Sequence, residues 1–445
     1  MSANDKIFED LRDTVRCIRV ASRNVESWTM RELTIGLRYV AEHQAQQRRP
    51  WTLSNPIRDM TTLARFKHYQ ELCEAAYKRD VESLLAECAI LREDLLANSL
   101  RASTLQPAFY VAIDRVQRCV TVCIRGTQSL SDAITDLALT TRPFQDGHAH
   151  RGMLLAAQYV KSRVHNIILS ALEEYPNYGL VFCGHSLGAG VAALLCMTYV
   201  DEYKWLNRCK AVCIACPPVV DRELSLKYAA NIDTIVLGFD LVARMSISAL
   251  HRLRLELDHI NWEELWNRDW QETHVVKVFN SISTSAQRLW SAARELTFSA
   301  STTTTTTTTT MEESQEETEQ EVARAAHLEP LEELPPHPEL HPLFLPGTTF
   351  HLVRGGLRGT RFFLLQRETP ELENTGAPLR RLELVRFAML DHLNLKYGVA
   401  LADAIKYAQY GSELLGGFMP TESTLATELL PQRPVPAEPE IEPVD

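Results

Sequence analysis

Nowhere in this 445-residue chain do 18 apolar residues run together. A membrane-crossing helix needs about that many, so none is expected. The opening MSANDKIFEDLRDT is polar and charged and lacks the apolar stretch of a secretory leader. An excess of basic charge is also missing: 46 Lys and Arg stand against 57 Asp and Glu, a net charge of −11. With no basic cluster either, nucleic acid is not expected as a partner. Cysteines in metal-binding spacing are absent. Cys213 and Cys216 form a lone C-x-x-C with no second pair, so neither a metal nor a cofactor is expected. AVCIAC reads as a strand, which places these two thiols on opposite faces. Most of the ten cysteines sit inside apolar runs, where a free thiol packs as a small hydrophobe. A cytoplasmic, reducing location is the expectation.

What is present suits a folded enzyme-sized body. Apolar residues make up 45% and charged residues 23%, enough to bury a sizeable core. The acidity is local. Ten Glu and one Arg lie in 311–340, and five Glu, one Asp and one Arg in 421–445. The remainder is slightly basic and would not be repelled by an anionic membrane. Nine consecutive threonines at 302–310 lead into the Glu- and Pro-rich stretch. Segments so poor in apolar residues cannot offset their ordering entropy, so 300–340 is predicted as a disordered insert and 413–445 as a disordered tail.

Periodicity divides the rest. Residues 1–58 read as an N-terminal helical extension, with Ile7, Phe8, Leu11, Val15 and Ile18 at helical spacing beside Arg12, Arg16, Arg19 and Arg23. Asp5, Glu9, Asp10 and Asp13 dilute the basic stripe, which favours a helix packed on the body over one lying on a membrane. The body is expected over 59–299 and 341–412. Residues 61–99 read as helical. FYVAID (109–114) and CVTVCIRG (119–126) read as neighbouring strands, 151–173 as a helix, and GLVFCG (179–184) as a buried strand. Residues 187–203 form a small-residue helix, KAVCIAC and DTIVLGFD are further strands, and 241–299 is mainly helical. TTFHLV and RFFLLQRE flank a glycine-rich turn as a hairpin, and 381–411 is helix-like. Strands alternating with helices predict an α/β fold, a mostly parallel sheet covered by helices on both faces.

Gly184-His185-Ser186-Leu187-Gly188 fits G-x-S-x-G between a buried strand and a helix opened by Ala189, Gly190, Ala192 and Ala193. In an α/β-hydrolase fold a nucleophilic serine projects from such a turn, and its neighbours two residues away come too close for a side chain. Ser186 is therefore the candidate nucleophile. Acyl transfer also needs donors at the oxyanion. The Leu187 N–H, next after the nucleophile, is one candidate. Thr127, in the Arg125-Gly126-Thr127 turn that ends an earlier strand, is the other.

The chain resembles the lipase class 3 family, which carries a strand ending in R-G-T or R-G-S and then G-H-S-L-G. PAFYVAID, IRGTQSLSDAITDL, HRGM (150–153) and HYQELCEAAY (68–77) are similar to its diacylglycerol lipase branch. The transmembrane helices that animal members of that branch carry have no counterpart in this sequence. The resemblance implies an α/β-hydrolase with a Ser-Asp-His triad. Asp240 ends DTIVLGFD, and the LVARM that follows is similar to the family's segment after its acid. Asp221 and Asp233 lie too early. Two Asp-His pairs follow, Asp258-His259 and Asp391-His392. His259 sits in a helical pattern with no strand before it, whereas His392 follows the hairpin and AMLDHL matches the branch, so His392 is the expected base. His150 resembles a structural histidine of the family, and His185 is expected to pack beneath the nucleophile.

The implied substrate is an acylglycerol lipid, diacylglycerol first, met at a membrane or lipid-droplet surface by a peripheral contact. A general carboxylesterase or phospholipase is the alternative, and a non-catalytic lipid-binding scaffold is a further one.

Overall fold

Apolar runs of six or seven residues build the centre of the molecule. In the computed structural model, FYVAID, CVTVCI and GLVFCGH become strands β2 (Phe109–Asp114), β3 (Cys119–Ile124) and β6 (Gly179–His185), and every residue in them is buried. Strands covered on both faces have no use for alternating polarity. The structure describes residues 36–47, 56–127 except 104, and 140–260 except 205 and 207. Further on it describes 341–367 except 358 and 359, then 379, 381–385 and 388–414. The Ile7–Arg23 stripe, the 300–340 insert and most of the 413–445 tail fall outside these residues. Contacts divide the chain into two units, Met1–Leu253 with Glu332–Asp445, and Arg254–Leu331.

The first unit contains an eight-stranded sheet in the order β1-β2-β3-β6-β7-β8-β9-β10. Its other strands are β1 (Leu95–Ser99), β7 (Cys209–Ile214), β8 (Ile232–Leu237), β9 (Thr348–Leu357) and β10 (Thr360–Arg367). Pairing is parallel from β3 through β9 and antiparallel at both edges. The hairpin β4 (Thr141–Phe144) and β5 (Gly147–His150) stands apart. This is the α/β-hydrolase arrangement, a mostly parallel sheet with helices on both faces. Register carries the chain across the long break between β8 and β9: Asp233 pairs with Thr348 and Leu237 with Leu352.

Two layers of helices enclose the sheet. Asp59 accepts from the Thr61 and Thr62 N–H groups and so starts helix Met60–Ala75. Its Leu63, Phe66, Tyr69, Leu72 and Cys73 join Tyr397, Leu401 and Ala404 of helix Asn394–Leu414 on the face that carries Cys183, Val212, Ile235 and Leu352. Phe66 meets Phe350 edge-on with centroids 5.0 Å apart. Burying such a ring stabilises by about 1.5–3 kcal/mol and ties β9 to the N-terminal half. Helices Arg151–Glu174 and Leu187–Glu202 cover the other face, where Phe182 packs on Tyr199. No described helix is long and apolar enough to cross a membrane.

Three local expectations need correction. The stretch 61–99 is not helical throughout: helices end at Ala75 and Glu87, and LLANS forms the edge strand β1. Its composition suits a helix, but pairing with β2 overrides that preference. Among the described residues the run 381–411 becomes helical only from Asn394; before it, Leu382 O and Leu384 N–H are both bonded to the Gln44 side chain instead of to helical partners. Cys216 lies beyond the end of β7. Ala215, at φ 53°, turns the chain there and brings the Cys216 thiol to Cys213 rather than to the opposite face. All nine described cysteines are free.

Candidate active site

The chain reverses at Ser186 with φ 59° and ψ −128°, a conformation that costs a non-glycine residue about 1–3 kcal/mol. Close packing holds it there. A Cβ at Gly188 would sit 2.2 Å from Ile124 O, and one at Gly184 would sit 2.4 Å from the Gly188 carbonyl. The strand β3, the strand β6 and the helix that follows can converge only because both positions are glycine.

Ser186, His392 and Asp240 come together although 206 and 152 residues separate the hydrogen-bonded pairs. His392 Nε2 lies 2.9 Å from Ser186 Oγ, and its Nδ1 lies 3.0 Å from Asp240 Oδ1 and 3.2 Å from Oδ2. The three residues are 2%, 3% and 0% exposed in that order, so little water weakens their electrostatics. Asp240 also caps helix Leu241–Arg244, accepting from Val242 N–H at 2.9 Å and Ala243 N–H at 3.4 Å. A capping role and a partnership with histidine thus coexist in one carboxylate. Burial pushes its carboxyl up. The facing His392 and the hydrogen bonds from His392 and Tyr397 outweigh that and hold it below the ordinary value.

His259 belongs to the second unit. Its exposed ring is bonded to Leu255 O at 2.7 Å just beyond helix Ile247–Asp258. Asp233 pairs with Arg65 at 2.8 Å, and Asp221 caps helix Arg222–Lys227. His150 caps helix Arg151–Glu174 through Met153 N–H, and burial pushes its imidazole down to about 4.

Leu187, an expected oxyanion donor, is the first residue of its helix, so its N–H has no intrahelical acceptor. The loop after β3 presses on Ser186: a Cβ at Gly126 would lie 2.6 Å from His185 O and 3.1 Å from Ser186 Cβ. Thr127 follows directly. Its buried hydroxyl has no hydrogen-bond partner among the described residues, which leaves its capacity for a bound oxygen.

Three supporting side chains escaped the sequence reading. Tyr397 donates to Asp240 Oδ2 at 2.6 Å and accepts from Leu237 N–H at 2.9 Å. Tyr77, the last residue of the HYQELCEAAY motif, lies 2.8 Å from His185 Nδ1. His185 Nε2 lies 2.8 Å from His392 O. A carbonyl only accepts, so Nε2 carries the proton and Tyr77 donates to Nδ1. Burial, then the facing His392, push the His185 imidazole down to about 3, which keeps it neutral. Asp391 turns away from its neighbour His392. It accepts from Phe239 N–H at 3.0 Å and from Arg354, pinning the loop after β8 to the loop that carries His392. No spacing rule signals these residues; their motifs marked the helix and the loop but not the contacts.

Comparison with known proteins falls on this region. The family model "Lipase (class 3)" matches residues 121–249, a segment that contains Ser186 and Asp240 and stops short of His392. Diacylglycerol lipase-alpha of Homo sapiens is 34% identical over 178 residues, 37% of this chain and 17% of that protein. Diacylglycerol lipase-beta of Mus musculus is 30% identical over 181 residues, 39% of this chain and 27% of that protein. The chain therefore matches less than a third of the length of either relative. The solved lipase of Rhizopus microsporus var. chinensis aligns over 43% of this chain and 73% of its own, with a TM-score of 0.37 and 21% identity.

Proposed function

Taking residues 121–249 as a class 3 lipase region, we propose that this chain is a serine lipase that hydrolyses carboxylic esters of acylglycerols. Diacylglycerol is the first substrate in this reading, giving a monoacylglycerol and a fatty acid. The observation that carries it is the continuous set of hydrogen bonds Ser186 Oγ, His392 Nε2, His392 Nδ1 and Asp240. His392 takes the Ser186 proton as Oγ attacks the ester carbonyl, and Asp240 holds the imidazole and stabilises its charged form. The Leu187 N–H and Thr127 receive the oxyanion. The alcohol leaves with the proton from His392, and water then cleaves the acyl-enzyme by the same route.

The diacylglycerol preference rests on the two relatives named above. A soluble-ester carboxylesterase would use the same three residues, so the substrate has to be measured. Purified chain is assayed on emulsified diacylglycerol, triacylglycerol and monoacylglycerol, on phosphatidylcholine, and on a soluble aryl ester, with Ser186→Ala alongside. Release of fatty acid from diacylglycerol at the highest kcat/KM, lowered about a million-fold in Ser186→Ala, is the expected outcome. Turnover of the soluble ester alone would favour the carboxylesterase. Equal fluorophosphonate labelling of both proteins would remove Ser186 as the nucleophile.

A further inference from the structure

Ser186 leaves the C-terminal end of β6. The other end of that strand, at Gly179 and Val181, lines a separate cavity of about 470 Å³. The strand spans Gly179–His185, so roughly 20 Å of extended chain lies between cavity and nucleophile. Arg65 and Tyr69 of helix Met60–Ala75 line the cavity together with the first residues of β6 and β7.

Four cationic side chains line the cavity, and none of its lining residues is acidic. They come from separate parts of the chain. Arg65 is on helix Met60–Ala75, Arg118 on the β2–β3 turn at φ 53°, Arg208 just before β7, and Lys210 within β7. Arg65 is ion-paired with Asp233 at 2.8 Å. The other three make neutral contacts. Arg118 lies 6.0 Å from the Tyr178 ring centroid, Arg208 donates to Asn177 O at 3.3 Å, and Lys210 donates to Ala230 O. Among the described residues, none of these three has a carboxylate partner. About three positive charges therefore face one concavity, whose low-dielectric walls concentrate their field on an anion. Its floor is apolar: Val181 and Val212 are buried at its base, with Tyr69 beside them.

We propose that this cavity is a binding site for a phosphomonoester, with the phosphate among Arg118, Arg208 and Lys210 and the organic part against Val181 and Val212. A phosphomonoester carries about −1.5 to −2 at neutral pH, against −1 for a carboxylate, and so answers several cations at once. Two guanidinium forks match its oxygens. The cavity volume is in the range that holds a small molecule. Nothing in this site depends on the ester chemistry at Ser186.

The full chain is titrated calorimetrically with phenyl phosphate, and in parallel its binding to phosphatidylcholine vesicles with and without phosphatidic acid is measured. Saturable binding of phenyl phosphate supports the proposal with a soluble ligand. Binding only to the phosphatidic acid vesicles supports it with a lipid headgroup as the source. In either case the double variant Arg208→Gln, Lys210→Gln is expected to weaken binding about 100-fold, and Arg118→Gln alone about tenfold. Arg118, Arg208 and Lys210 are exposed, so the fold survives these changes, and fluorophosphonate labelling of Ser186 at the wild-type rate checks that it has. Binding of neither probe, or equal binding by wild type and both variants, overturns the proposal.

Discussion

Replacing Tyr397 by Phe removes one oxygen from the centre of the site and leaves the ring in place. Tyr397 is wholly buried, and its hydroxyl serves Asp240 and Leu237 N–H together. Both lose a partner at once. A buried N–H without an acceptor costs about 1–3 kcal/mol, and a hydrogen bond to a charged group is worth about 1.5–3 kcal/mol. Partial relaxation of the loop reduces the sum, so a stability loss of about 2–4 kcal/mol is expected. In a domain of this order of size each kcal/mol lowers Tm by roughly 2–4 °C. For catalysis, the full value of the bond to Asp240 would correspond to roughly 10–150-fold in rate. Asp240 keeps the donors of His392, Val242 and Ala243, so the lower end, about tenfold in kcat, is expected with KM little changed. The loss of stability also depends on pH. The Asp240 carboxyl is held below its ordinary value of 3.8. Its contribution is therefore present above that value and lost as pH falls through the folded one. Tyr397→Phe raises the folded value toward 3.8, so the gap between the two proteins is widest near neutrality and narrows in acid. The assays are the rate of fluorophosphonate labelling of Ser186, which needs no knowledge of the substrate, and thermal melts across pH. A labelling rate and a Tm both unchanged in Tyr397→Phe would refute this account of the acid's surroundings.

Four further substitutions probe the remaining contacts. His392→Ala is expected to cost about as much as Ser186→Ala, since the members of such a unit fail together, whereas His259→Ala leaves labelling at the wild-type rate; the opposite ranking overturns the choice of histidine. Thr127→Ala retains the backbone donor and removes the hydroxyl, which should lower kcat by about 10²–10³-fold if that hydroxyl meets the oxyanion. An unchanged kcat assigns Thr127 a backbone role alone. Tyr77→Phe takes the donor from His185 Nδ1 and leaves that buried acceptor without a partner, so a loss of about 1–3 kcal/mol in stability is expected, together with a fall in kcat at constant KM; a variant with wild-type melting and kcat would show that this brace is dispensable.

Short-range physics was open to the sequence alone. The runs at 109–114 and 119–126 read as neighbouring strands and 179–184 as a buried one, and β2, β3 and β6 form there with every residue buried. The spacing of Gly184 and Gly188 about Ser186 announced a turn that excludes side chains, because that constraint is steric and acts within five residues. Elsewhere local preference misled. LLANS has the composition of a helix, yet an edge with unpaired backbone groups on β2 recruited it as β1. Cys216 left the strand because a single positive φ at Ala215 broke the alternation.

Turn sterics alone singled out Ser186 as the candidate nucleophile, whereas Asp240 and His392 were expected on the resemblance to the lipase class 3 family. The company they keep was decided only by tertiary structure. Tyr77, Tyr397 and Asp391 reach His185, Asp240 and Phe239 across 108, 157 and 152 residues of chain. Those hydrogen bonds depend on how helix Met60–Ala75, helix Asn394–Leu414 and the loop that carries Asp391 settle against the sheet. A sequence pattern records which face of an element is apolar, but not which polar atom of one element will stand within 3 Å of another once those faces are packed.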